Sequence, residues 1–145
     1  MKEPSYRLWL VCGAILGSLA VACGAFGAHG LEIRLAKDGA FSEADQRRLL
    51  EVWDTAARYQ MYHALALLAV GLVGMCRRSK AIFVAGTAMT LGTIIFSGCL
   101  YALVLTEQKW LGRIVPIGGA LMIVGWIALA IGACRLRVEV PRSDA

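Results

Sequence analysis

Charge is scarce in this sequence. Asp, Glu, Lys and Arg make up 17% of its 145 residues, while 59% are hydrophobic. The mean hydropathy is +0.65. That balance is too apolar for an ordinary soluble domain and points to a membrane. The net charge of +5 comes from basic residues at the ends of apolar runs. No lysine- or arginine-rich run with interleaved aromatics occurs, which argues against nucleic acid as a partner. No CxxC pair occurs among Cys12, Cys23, Cys76, Cys99 and Cys134. All five lie in or beside apolar segments and read as small buried hydrophobes. No G-x-S-x-G, Walker loop or dinucleotide fingerprint is present. The two histidines, His29 and His63, lack the H-x-x-E or H-x3-H spacing of a metal site. Motifs therefore assign no catalytic residue, no cofactor and no metal. No ionisable residue falls near the middle of an apolar run, where ion and proton pathways usually keep one.

What is present is four apolar runs, at about 8–28, 59–75, 81–105 and 114–134. Each has the length that a bilayer core requires. The first is too long for a signal-peptide core and no A-x-A-like site closes it, so it reads as a retained span. Trp9 stands at its start, where an interfacial aromatic belongs. Gly13 and Gly17 make a GxxxG, and Gly24 and Gly27 follow. Small residues of this kind let a neighbouring helix approach closely, which predicts a central packing helix. Gly30 is the expected C-terminal cap. Gly118 and Gly119 lighten the fourth span in the same way, and Pro116 stands near its start.

Residues 31–57 are polar and charged. Ser42 with Asp45 resembles a capping box in which aspartate replaces glutamate. Leu49, Val52, Trp53 and Ala56 then recur at helical spacing. This predicts an amphipathic interfacial helix over 42–57, with Trp53 dipping into the membrane. No Gly or Pro interrupts residues 42–70, so this helix can run straight into the second span. The expected fold is an all-α integral membrane protein, a single four-transmembrane-helix bundle.

Four spans place both termini on one side. That side, with the 77–80 turn, holds eight basic and three acidic residues, while the other side balances seven against seven. The basic excess predicts cytoplasmic termini and an external 31–57 segment. The external ends of the spans then gather His29, Arg58, Tyr59, Gln60, Tyr62, His63, Tyr101, Glu107 and Arg113. A small polar stripe, Thr90, Thr93 and Ser97, leads toward them along one face of the third span. Three readings of this set stay open. It is an interfacial belt, with histidines satisfied by backbone carbonyls; or an outward-facing ligand pocket with Arg58 as anion contact; or a metal or redox site using both histidines.

The motifs Gly24-Ala-Phe-Gly-Ala-His29, Arg58-Tyr-Gln-Met-Tyr-His63, Phe96-Ser-Gly-Cys-Leu-Tyr101 and Pro116-Ile-Gly-Gly119 with Gly125-Trp126 occur in that order. Through them the chain resembles the domain of unknown function 423 family of small bacterial inner-membrane proteins, which is similar to the eukaryotic transmembrane protein 256. The resemblance implies a four-helix protein of the inner (cytoplasmic) membrane and supplies no catalytic residue. Three function classes follow. The first is a non-catalytic subunit or organiser that packs with lipid, with other membrane proteins or with itself as a homo-oligomer. The second is an oligomeric transporter or ligand-binding protein with an outward-facing polar pocket. The third, a membrane enzyme or redox protein, has only the two histidines and five cysteines behind it.

Overall fold

The computed structural model of the chain describes residues 6–39, 41–76 and 79–134. The basic pair at 77–78 and the tail 135–145 lie outside the described residues. Helix α1 (Arg7–Ala25) passes without a break into a π-helical segment (Phe26–Leu31) and then α2 (Glu32–Asp38). The helix therefore runs through Gly30, the expected cap. Gly30 keeps a right-handed φ and leaves room for the Phe26 ring, which a Cβ there would meet at 2.7 Å. The stop comes at Gly39, whose φ of 60° lies in the left-handed region that favours glycine.

Helix α3 (Glu43–Cys76) starts at Ser42. The Ser42 hydroxyl accepts from the Asp45 N–H at 3.2 Å and donates to its carboxylate at 2.6 Å. The amphipathic segment and the second span are one helix of 34 residues. At ~1.5 Å per residue it is ~51 Å long, well beyond the ~30 Å of bilayer hydrocarbon. Helix α4 (Lys80–Thr106) begins where the Ser79 hydroxyl accepts from the Ile82 N–H. A 3₁₀ turn (Lys109–Arg113) leads to α5 (Val115–Cys134). Pro116 sits in the first turn of α5, where its missing N–H costs no helical bond.

No strand occurs among the described residues, and four helices are long and apolar enough to cross a membrane. The centre of the bundle is α3. Trp53, Ala56, Gln60, His63, Leu67, Val70 and Gly74 are all buried. They follow one another by three and four residues, so they form a single seam down one face. Helix α1 packs on α3, α4 packs on α3, and α5 packs on α4 while barely meeting α3. The first span is thus an outer helix rather than a central one. Its Leu8, Val11, Ile15 and Leu19 stay open, as lipid-facing positions do. Trp9, expected as an interfacial aromatic, faces other helices rather than lipid. It is buried in one core cluster with Leu67, Val70, Ile82 and Met89, with its ring over Gly86 of α4, where the absent Cβ leaves a seat. A second core, Leu31, Leu35, Trp53 and Val104, fills the end of the bundle where α2 turns into α3 and α4 meets the 3₁₀ turn; we call this the loop end.

The glycines differ in what surrounds them. A Cβ at Gly13 would stand 2.8 Å from the Ala64 carbonyl, at Gly27 2.5 Å from the Trp53 ring, and at Gly118 2.6 Å from the Phe96 nitrogen. At Gly17 and Gly119 the nearest atoms are at 3.7 and 3.8 Å, and at Gly24 nothing lies within 4 Å. The cysteines are free. Cys76 and Cys134, expected to be buried, are exposed because they end α3 and α5 on the outward side.

Candidate functional site

Polar side chains along the α3 seam reach each neighbouring helix. The Gln60 amide donates to the Leu16 carbonyl of α1 at 2.9 Å. The Trp53 indole donates to the Cys23 carbonyl at 2.8 Å. From α4, the Ser97 hydroxyl donates to the Ala56 carbonyl at 2.9 Å. From α5, the Trp126 indole donates to His63 Nε2 at 3.2 Å. His63 Nδ1 lies 2.8 Å from the Tyr59 carbonyl. An acceptor at Nε2 assigns the proton to Nδ1, so His63 is the neutral ring, donating back to its own helix. Gln60 and His63 are each only 5% exposed. Away from water an unsatisfied amide or imidazole is costly, so these bonds fix how the helices meet.

The Trp53 bond meets α1 where the π-helical segment begins. Trp53 lies against Gly27 and donates to the Cys23 carbonyl, which also accepts, with Ala22, from the Phe26 N–H.

The residues gathered by the sequence go to different places. His63 faces inward. Arg58 is five positions earlier, ~140° around the helix at ~100° per residue; it is exposed and pairs with Asp54 at 2.9 Å. The two do not share a pocket. Tyr59 and Tyr62 are exposed. The Tyr59 ring lies 5.0 Å from Phe96, 6.0 Å from Tyr62 and 6.4 Å from His63, so these four form one aromatic group. Tyr101 belongs to the loop-end core instead, with its ring 4.6 Å from Trp53. Its hydroxyl is buried and makes no well-formed hydrogen bond among the described residues. His29 is exposed on the π-helical segment. Thr90 and Thr93 donate to carbonyls of their own helix, at 2.8 and 2.7 Å. Sequence reasoning left Trp53 and Trp126 out of the candidate set. The available signal for Trp53 was the three-four spacing that puts it in one row with Gln60 and His63.

Two clefts open at the loop end. One, of about 300 Å³, lies between the π-helical segment and α3 and is walled by Gly24, Gly27, Ala28 and Trp53 with Glu32 and Asp54. The other, of about 580 Å³, lies between α3, α4 and the 3₁₀ turn. Thr90, Thr93, Ser97 and His63 line neither. No group of three His, Cys, Asp or Glu side chains among the described residues is placed to hold a metal ion.

The family described as "Protein of unknown function (DUF423)" matches residues 23–119. The chain is 41% identical over 130 residues to a UPF0382 membrane protein of Staphylococcus saprophyticus, covering 90% of this chain and 99% of the relative. It is 46% identical over 125 residues to one of Staphylococcus aureus, covering 86% and 93%. It is 38% identical over 130 residues to the UPF0382 membrane protein YwdK of Bacillus subtilis, covering 89% and 98%. No solved structure matches the chain.

Proposed function

The chain belongs to the DUF423 family of multi-pass membrane proteins, and from that premise we propose that it is a non-catalytic membrane module. It acts as a subunit or organiser that packs with lipid and with other membrane proteins, further copies of itself included. One observation carries this. The polar side chains of the seam are engaged by backbone carbonyls or by one another, while α1 and α5 present wide apolar faces. Interhelical hydrogen bonds and small residues are the usual glue of packed membrane helices. The protein lies in the bacterial inner (cytoplasmic) membrane, with both termini cytoplasmic. The basic excess near the termini and the 77–80 turn supports that orientation.

Extraction in native lipid followed by native mass spectrometry tests the function. A second protein at fixed stoichiometry, or a defined homo-oligomer carrying lipid alone, is the expected result. A homo-oligomer carrying a reproducible non-lipid small molecule would favour the transport alternative, and a lone monomer would remove the packing role. The orientation is tested by labelling in a chain whose own cysteines are replaced by alanine. Gly39→Cys should then react with an impermeant maleimide in intact cells, and Ser79→Cys should not. The reverse pattern would invert the topology.

A further inference from the structure

The larger loop-end cleft is charged at one end and apolar at the other. Its volume, about 580 Å³, falls within the ~300–1,000 Å³ typical of ligand sites. Two of its walls run in opposite directions. Helix α3 starts at the loop end, so Asp45 and Arg48 come first and Val52 lies seven residues, ~10 Å, deeper. Helix α4 finishes there, so Leu100 lies deep and Glu107 stands ~10 Å nearer the loop end, with Lys109 just beyond. Asp45, Arg48, Glu107 and Lys109 therefore share the outer end of the cleft, and Leu49, Val52, Leu100 and Leu103 line its depth.

None of these four charges is ion-paired within 4 Å among the described residues, where the ion pair present is Arg58–Asp54. Glu107 holds a left-handed φ of 58°, a conformation that favours glycine, yet a carboxylate stands there. Trp110, next to Lys109 at the start of the 3₁₀ turn, is exposed, and exposed tryptophans at span ends are the usual headgroup contacts. Two cations and two anions above an apolar floor complement an amphiphile whose head carries both signs.

We propose that this cleft binds one phospholipid whose headgroup bears an ammonium group beside its phosphate. The phosphate lies against Arg48 and Lys109, and the ammonium against Asp45 and Glu107. The glycerol and first acyl carbons lie between the leucines and Val52. A headgroup with negative charge alone would leave the two carboxylates facing a phosphate without a cation. The proposal rests on the reading of the chain as a module that packs with lipid, and it names which lipid and where.

The test is native mass spectrometry of the delipidated full chain in detergent, titrated separately with phosphatidylethanolamine and phosphatidylglycerol of the same acyl chains. Arg48, Glu107 and Lys109 are exposed, so their substitution leaves the fold intact. The expected result is one phosphatidylethanolamine adduct, favoured over phosphatidylglycerol by about tenfold or more, the scale of one charge-assisted hydrogen bond. Arg48→Gln with Lys109→Gln should weaken both adducts by a similar factor. Glu107→Gln should lower the preference and leave the phosphatidylglycerol adduct in place. Equal affinity for the two lipids, or adducts indifferent to these substitutions, would overturn the proposal. So would glycerophosphoethanolamine binding as tightly as the intact lipid, since the apolar depth would then contribute nothing. A specific lipid adduct on a chain with no protein partner and no self-association would sink the packing role and leave this site standing.

Discussion

Gly118 and Gly119 are adjacent, yet alanine at the two positions should act in opposite directions. A Cβ at Gly118 would lie 2.6 Å from the Phe96 nitrogen and 2.9 Å from the Gly92 carbonyl oxygen. Both are backbone atoms of α4, so no side chain can turn away. Restoring an ordinary contact of 3.4 Å means parting α4 and α5 by about 0.8 Å. A gap of ~0.5–1 Å forfeits a quarter to a half of each dispersion contact along the seam. Overpacking of this kind costs ~1–3 kcal/mol. At Gly119 the nearest atoms belong to the Phe96 ring at 3.8 Å, an ordinary contact. Gly119→Ala should therefore be neutral or stabilise by up to ~1 kcal/mol, through the helix propensity of alanine alone. The assay is SDS-induced unfolding in mixed micelles, followed by tryptophan fluorescence. Equal effects at the two positions, or a larger loss at Gly119, would refute the packing of α5 on α4.

Other outcomes follow from single contacts. Trp53→Phe removes the donor to the Cys23 carbonyl and should cost ~0.6–1.7 kcal/mol, the range for an interhelical bond in a membrane. Amide exchange at 26–31 should quicken with it, and unchanged exchange there would detach the π-helical segment from Trp53. Arg58→Ala breaks an exposed pair with Asp54 and should move the same unfolding midpoint by no more than ~0.5 kcal/mol; a loss several times larger would mean that Arg58 has a partner inside the bundle. Gly39→Ala forces a Cβ into a φ of 60° and should cost ~1 kcal/mol, measured as reduced helicity and a lower midpoint. A neutral outcome would contradict the left-handed stop after α2.

The four spans were legible because twenty-residue apolar runs have few other uses. The start of α3 was legible because Ser42 and Asp45 stand at capping distance, and the absence of Gly and Pro over 42–70 pointed to one unbroken helix. The order of the helices in space was not. In lipid an exposed position does not betray itself: an outward Ile15 and a buried Leu67 are equally apolar, so hydropathy cannot tell the outer α1 from the central α3. The glycines were also alike on the page. Gly13 and Gly17 look like one GxxxG, but only Gly13 meets a backbone oxygen. Trp9 looked interfacial because its seat, Gly86, lies on another helix. Of the gathered polar residues, His63 could be recognised as inward from its row with Trp53, Ala56 and Gln60. Arg58, five positions away and ~140° around the same helix, was separable by its spacing too, whereas Tyr101 could not be placed until the directions of α3 and α4 were known.

His63 is the most chemically capable side chain in the spans, and helix contacts engage both its nitrogens. Nitrogen NMR of the full chain in lipid nanodiscs, with labelled histidine and Trp126→Phe as control, tests this most directly. The expected spectrum is that of a neutral ring protonated at Nδ1, with an Nε2 shift that moves when the Trp126 donor is removed and does not respond to added zinc. An Nε2-protonated ring, or a shift that follows zinc and ignores Trp126, would contradict the packing role of His63.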